Sequence, residues 1–248
     1  AAVTETITAF RFNDAASAAY RFVWNTFCDW YLELAKPALQ GVDGAEKDET
    51  RAATAWALDQ IVTLLHPFMP FITEELWSAY AERAGESAGL LALAPWPDLS
   101  GLEAPEAERE IGWIVDLVTE IRSARAEMNV PAASQIPLAL VAADLDTRER
   151  AARNADVLKR LARLSEVAFS DAAPAQSVQV LVRGATAALP LAGVIDIAAE
   201  KVRLAKELDK IGQDIGRIDA KLSNADFIAR APEDVIDEQK DKREEALR

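Results

Sequence analysis

Apolar residues return every three or four positions through most of this chain, and the breaks in that rhythm divide it. After Asn13, a good helix cap, the residues Ala16, Ala19, Tyr20, Val23, Phe27, Trp30, Tyr31 and Leu34 share one helix face. The spacing predicts a helix that Pro37 stops. A second helix is expected from about Asp48 to Leu65, ending at the His66-Pro67 step, because a residue before proline is pushed from helical geometry. A third should start near Thr73, with the Thr73 hydroxyl as cap and Glu74 and Glu75 at the positive end of its dipole. A fourth runs from about Pro105 to Met128 on a stripe of Ile111, Ile114, Val115, Val118 and Ile121. Four such segments predict an antiparallel helical bundle.

The rhythm then shortens. Ile136 to Val141 and Val178 to Val182 read as strands, with Arg183-Gly184 turning the second into Ala185 to Leu189, and Arg148 to Leu164 reads as a helix between them. Beyond them, Leu204, Leu208, Ile211, Ile215, Ile218 and Leu222 keep an unbroken four-three heptad seam. A break at Ser223 and Asn224, a turn through Phe227 and Ile228 and a restart at Pro232 imply a helical hairpin. A helix from Gly193 to Leu222 would span roughly 45 Å, whereas Pro232 to Arg248 returns only about 25 Å. Either the root of the first helix rests on the globular body or the natural chain runs further. The expected fold class is therefore mainly α, in three parts: residues 1–130 a bundle, 131–192 a small α/β junction, and 193–248 a coiled-coil arm.

The formal charge of −14 argues at first against a nucleic-acid partner. It is unevenly spread: Ala1 to Glu108 holds six Lys/Arg against 17 Asp/Glu, and the remainder is close to balanced. Cys28, the single cysteine, sits in an aromatic helical pattern as a small buried hydrophobe and cannot form an internal disulfide. No stretch of about 18 apolar residues reads as a membrane span, and the first residues lack the basic start of a secretory signal. A cytoplasmic protein is expected. The start without methionine suggests a piece of something longer.

Little catalytic chemistry is present. His66, the only histidine, lies at a helix end, where satisfying free carbonyls is its expected role. No second histidine or cysteine completes a zinc site, and no glycine-rich phosphate loop occurs. Binding features are better represented. Arg148, Arg150, Arg153, Lys159, Arg160 and Arg163 face only Glu149 and Asp156 in the same segment. On the arm, Lys201, Arg203, Lys206, Lys210, Arg217 and Lys221 outnumber Glu207, Asp209, Asp214 and Asp219. Among the aromatics, Tyr20, Phe27, Trp30 and Tyr31 are expected in the core, whereas Phe22 and Trp24 lie off that stripe and are interface candidates.

Several segments carry a family resemblance. Phe27-Cys28-Asp29-Trp30-Tyr31-Leu32-Glu33 with Lys36-Pro37, then Leu65-His66-Pro67-Phe68-Met69-Pro70-Phe71-Ile72-Thr73-Glu74-Glu75-Leu76-Trp77, resemble the class I anticodon-binding bundle shared by valine, isoleucine and leucine enzymes; the resemblance places the first helix of that bundle upstream of Ala1, so residues 1–130 are expected to be a partial bundle. Glu120 to Pro131, Pro190 to Asp196 with Glu200 to Leu204, and Lys221 to Asn224 with Phe227, Ala231-Pro232 and Val235 resemble the C-terminal region of the valyl-tRNA synthetase family. Isoleucyl relatives often end in a cysteine-rich zinc module, which is missing here. The resemblance implies a parent ligase that joins valine to tRNA-Val using ATP with Mg, and a fragment that positions tRNA without a catalytic site, metal or cofactor of its own. It implies tRNA and the upstream catalytic domain as partners, no DNA, no membrane and a monomeric parent. The candidates for RNA contact are Arg122, Arg125, Arg153, Arg160, Lys201, Arg203, Lys206, Lys210, Arg217 and Lys221. The same region of an isoleucyl or leucyl enzyme, or a non-enzymatic helical interaction module, are the alternative readings.

Overall fold

A computed structural model describes residues 2–84, 89–224 and 232–247. The chain is mainly α-helical and separates into two compact units, Ala1–Val115 and Asp116–Arg248. The elements of the first unit are α1 (Ala2–Thr8), α2 (Phe12–Arg21), a π-helical stretch (Phe22–Tyr31), α3 (Leu32–Gln40), α4 (Ala45–Leu65), α5 (Pro70–Ala84), a short 3-10 turn (Leu91–Leu93) and the start of α6 (Pro105–Glu127).

In the first unit α1 and α2 pack together, α2 and α3 pack on α4, and α4 on α5. Small residues make the close approaches: Ala15, Ala19 and Ala35 are buried alongside Phe27, Ile61, Val62, Trp113 and Ile114. The expected single helix from Asn13 is continuous, but its middle ten residues are π-wound. Wider winding shifts the phase of everything after Arg21; Tyr20, expected in the core, precedes it and lies about 100° round α2 from buried Ala19. Tyr20 is 62% exposed and stacks on Trp24 with ring centroids 6.3 Å apart. Phe27 keeps its core place and stacks on Tyr31, whose hydroxyl meets Thr54 Oγ1 of α4 at 3.0 Å.

Two expected boundaries are corrected. Pro37 does not stop the helix but lies within α3, which runs on to Gln40 before Gly41 ends it. Thr73 is not a cap: α5 begins at Pro70, a residue suited to a first helical position because its missing N–H would be unpaired there anyway. Thr73 is buried and donates back to the Met69 carbonyl at 2.8 Å, while His66 Nδ1 meets the same hydroxyl at 2.8 Å. His66 thus has the structural role expected of it, through a side chain and not through carbonyls.

The second unit holds the C-terminal end of α6, then β1 (Ile136–Val141), α7 (Leu145–Arg153), α8 (Ala155–Ala162), β2 (Leu164–Ser170), β3 (Ser177–Val182), β4 (Ala185–Pro190), α9 (Ile197–Leu222) and α10 (Glu233–Leu247). The strands lie in the order β2-β1-β4-β3, with β1 and β2 parallel and the other pairs antiparallel. Central β1 buries Ile136, Leu138 and Leu140 completely, each worth about 1.5–3 kcal/mol relative to exposure. Arg183 and Gly184 both take positive φ, as a two-residue hairpin turn between β3 and β4 requires.

The single helix expected over Arg148 to Leu164 is two helices and a strand start. Asp144 caps α7 by accepting from Thr147 N at 2.8 Å, Asn154 separates the helices, and Arg163 ends α8 in the left-handed region. β2, the parallel partner of β1, was not expected from the apolar pattern.

The arm is the predicted hairpin, with its root at Ile197 and not Gly193. Asp196 caps α9, accepting from Ala198 N and Ala199 N at 3.0 Å each. Ser223 ends the helix, and α10 starts after Pro232 as expected; the turn through Phe227 and Ile228 lies outside the described residues. An ion pair between Arg243 and Asp219 at 2.5 Å joins the two helices. Ile215, Ile218 and Leu222 are half-buried, whereas Leu208, nearer the root, is 69% exposed. The length mismatch read from the sequence is real: among the described residues α10 covers the outer half of the seam.

Candidate nucleic-acid interface

The interface grows from the regularity of α9. Its 26 residues are helical without interruption, so positions advance by about 100° each around one axis. On that wheel Arg203, Lys206, Lys210, Arg217 and Lys221 fall within an arc of about 60°, which no acidic residue of α9 enters. The heptad seam lies roughly 120° away. Lys201 falls on the opposite side of the helix from the basic arc, beside Met128, Val178 and Leu191 at the arm root.

The five cations differ in how they are held. Lys206, Lys210 and Lys221 are exposed and make no hydrogen bond or ion pair with any described residue. Arg217 has a 3.1 Å contact to Asp214 with its side chain 74% exposed, a geometry worth little in water. Arg203 is engaged: its Nε donates to Glu200 at 2.8 Å, Nη1 to Glu207 at 2.8 Å and Nη2 to the Glu127 carbonyl at 2.9 Å. Hydrogen bonding to Glu200 pushes the Arg203 pKa up, and the same bond holds the Glu200 carboxyl below its usual range.

The arginines of α6 are structural. Arg122 donates to the Leu161 carbonyl through Nε at 3.1 Å and Nη2 at 2.9 Å, capping the last turn of α8. Arg125 is buried and donates to the carbonyls of Ser134 at 2.7 Å, Pro131 at 3.3 Å and Arg163 at 3.4 Å. Burial, with the charge of Arg163 nearby, lowers its pKa. Its guanidinium is not offered to solvent.

The basic segment after residue 148 is dispersed, because α7 and α8 are separate helices. Arg148 donates to the Ala143 carbonyl at 2.8 Å and stands over the Phe169 ring at 5.5 Å, Arg150 pairs with Asp146, and Arg153 reaches Glu149 at 3.9 Å. Arg160 is exposed. In the first unit, Phe22 borders an apolar groove with Trp56, Leu64 and Trp96, and Trp24 is 55% exposed, so both off-stripe aromatics lie at the surface. No group of three or more metal-ligating side chains occurs among the described residues, and no described helix is long and apolar enough to cross a membrane.

A mainly helical chain with a hairpin that carries Lys206, Lys210, Arg217 and Lys221 along one line defines a module suited to tracking a line of phosphates. The chain belongs to the family of anticodon-binding domains of tRNA ligases, whose model matches residues 1–140. Residues 196–248 match the tRNA-binding arm of valyl tRNA synthetases. Similar curated proteins include the valine-tRNA ligases of Bradyrhizobium diazoefficiens and Rhodopseudomonas palustris, each 53% identical over 99% of this chain and 29% of the relative. That of Caulobacter vibrioides is 52% identical over 99% of this chain and 27% of the relative. The chain spans less than a third of the length of these relatives.

Proposed function

We propose that this chain is the tRNA-handling C-terminal portion of a valine-tRNA ligase, and that it positions tRNA-Val without taking part in the chemical steps. The observation that supports this reading is the stripe on α9, a row of exposed lysines on the segment that matches the tRNA-binding arm. In the parent enzyme, ATP with Mg and valine are handled in the part of the chain outside this sequence, which is also the partner of this region. The parent acts as a cytoplasmic monomer.

Within the portion, residues 1–130 serve as the anticodon bundle, 131–192 as the junction and 193–248 as the arm. The charge distribution gives each part its role. Through Glu108 the acidic excess of 17 Asp/Glu over six Lys/Arg repels RNA that makes no specific contact, while the stripe supplies attraction along one line. Lys201 and Arg160 are auxiliary contacts, and Arg153 is weakened by Glu149.

The test is a salt series of tRNA-Val affinity with the parent ligase and its Lys206→Gln/Lys210→Gln/Arg217→Gln/Lys221→Gln variant. Each lost phosphate contact should flatten the slope of log affinity against log salt by about one. A fall of about three to four in that slope supports the reading; an unchanged slope and affinity remove the arm from RNA binding.

A further inference from the structure

We propose that Glu200 and Arg203 are positioning residues, a latch that fixes the direction in which α9 leaves the junction and so sets where its lysine stripe meets RNA. The proposal rests on the reading of the arm as an RNA-binding element.

The latch begins at the end of α6. That helix closes with Asn129 in the left-handed region, Val130 N donating to the Arg125 carbonyl at 2.9 Å and Asn129 N to the Ala126 carbonyl at 3.1 Å. This cap satisfies the carbonyls of Arg125 and Ala126 and leaves that of Glu127 without a partner inside the helix. Arg203 of α9 supplies the partner through Nη2 at 2.9 Å. Glu200, one turn earlier on α9, is buried and receives the Arg203 fork. One charged bond, from Arg203 to the Glu127 carbonyl, therefore crosses between α6 and α9, and the Glu200 carboxylate orients the guanidinium that makes it.

Charge decides what Arg203 does. Its guanidinium contacts the carboxylates of Glu200 and Glu207 at once, so the cluster carries a net negative charge and offers a phosphate no attraction. A planar fork locked on two carboxylates and a carbonyl has an orienting role.

Lever length makes the angle matter. Lys221 lies about 27 Å along α9 from Arg203, so a rotation of about 10° at the root moves it by roughly 5 Å, well beyond the tolerance of a charged hydrogen bond. Loss of the latch leaves every lysine in place and removes their preorganisation, which costs affinity without removing a contact.

The experiment uses the full-length parent ligase with Cys28 and every reactive cysteine outside this sequence replaced by Ser, and with spin labels at Glu149→Cys on α7 and Gln213→Cys on α9, both exposed and outside the stripe. Arg203→Lys keeps the charge and loses the fork; Arg203→Gln removes the charge as well. The latch predicts a broadened label-to-label distance distribution in both variants, with tRNA-Val affinity reduced roughly tenfold and the salt slope unchanged. Two results overturn it: an unaltered distribution, or an affinity that Arg203→Lys preserves while Arg203→Gln lowers it together with the slope by about one, which makes Arg203 a phosphate ligand. Should the Arg203 variants fail to fold, Glu200→Gln removes the carboxylate that orients the fork and must broaden the same distribution. The four-residue lysine-stripe variant separates the two readings. If it leaves tRNA affinity unchanged, the arm's function fails, while the label distances still report the latch.

Discussion

Arg125 offers the sharpest test of how the second unit is held together. Replacing it by Met keeps the aliphatic stem and removes three donors. The 2.7 Å bond to the Ser134 carbonyl is a short charged bond worth about 2 kcal/mol, and the 3.3 and 3.4 Å bonds to Pro131 and Arg163 add roughly 1–2 kcal/mol together. Relief from burying a guanidinium returns about 1 kcal/mol, so the net loss is about 3 kcal/mol. At 1.4 kcal/mol per decade, amide exchange of Leu138, Ala139 and Leu140 in central β1 should accelerate by roughly 100-fold under conditions where it reports unfolding of the unit. Arg125→Lys reaches one carbonyl and should recover about half of that loss. Exchange of β1 unchanged within about twofold would refute a structural role for Arg125 and return it to the surface-contact candidates.

Two further outcomes are expected. Gly212 and Gly216 sit inside α9 with nothing within 4 Å of a Cβ built on either, so Gly→Ala at each should stabilise the hairpin by about 0.8–1 kcal/mol; thermal unfolding followed by circular dichroism checks this, and a lowered midpoint contradicts it. The Glu200 carboxyl is held below its ordinary value of 4.5 by hydrogen bonding to Arg203, so its contribution is present above pH 4.5 and lost as pH falls through the lower folded value. Protection of the Ala198 to Arg203 amides, relative to the intrinsic exchange rate at each pH, should therefore fall below that pH, and Glu200→Gln should abolish the dependence.

Much of the fold was legible in the sequence where one signal acted alone. The β1 run Ile136 to Val141, the Arg183-Gly184 turn and the heptads of α9 each follow from a local pattern that tertiary packing had no reason to override. The misses share a cause, which is geometry that composition does not encode. The buried face of α2 is narrow, Ala15 and Ala19, and Tyr20, one position and about 100° of turn beyond Ala19, falls outside it, which an apolar tally does not show. β2 follows α8 after one left-handed residue, and that residue is Arg163 where glycine is the usual sign. Thr73 reads as a cap because the sequence shows a hydroxyl before two glutamates, yet Pro70 already supplies a suitable helix start.

The candidate interface was legible as a set of cations but not as a surface, because sequence alone does not separate the two uses of positive charge in this fold. Arginine is placed where backbone carbonyls need a planar, multi-donor partner: Arg122 on Leu161, Arg125 on Ser134 and Arg203 on Glu127. On one side of α9, Lys206, Lys210 and Lys221 face water together with Arg217, whereas Lys47, 13% exposed, is used as the arginines are, on the Gly41 carbonyl. The preference follows from the side chains themselves. A guanidinium is weakly hydrated and gives up little on burial against carbonyls, whereas an ammonium is a strongly hydrated point charge that loses most when ordered and least when left mobile beside a flexible polyanion. A stripe of mobile lysines on a helix whose root is fixed by arginines therefore combines a defined direction with tolerant contacts, which suits an element that must follow the overall path of an RNA and not the identity of its bases.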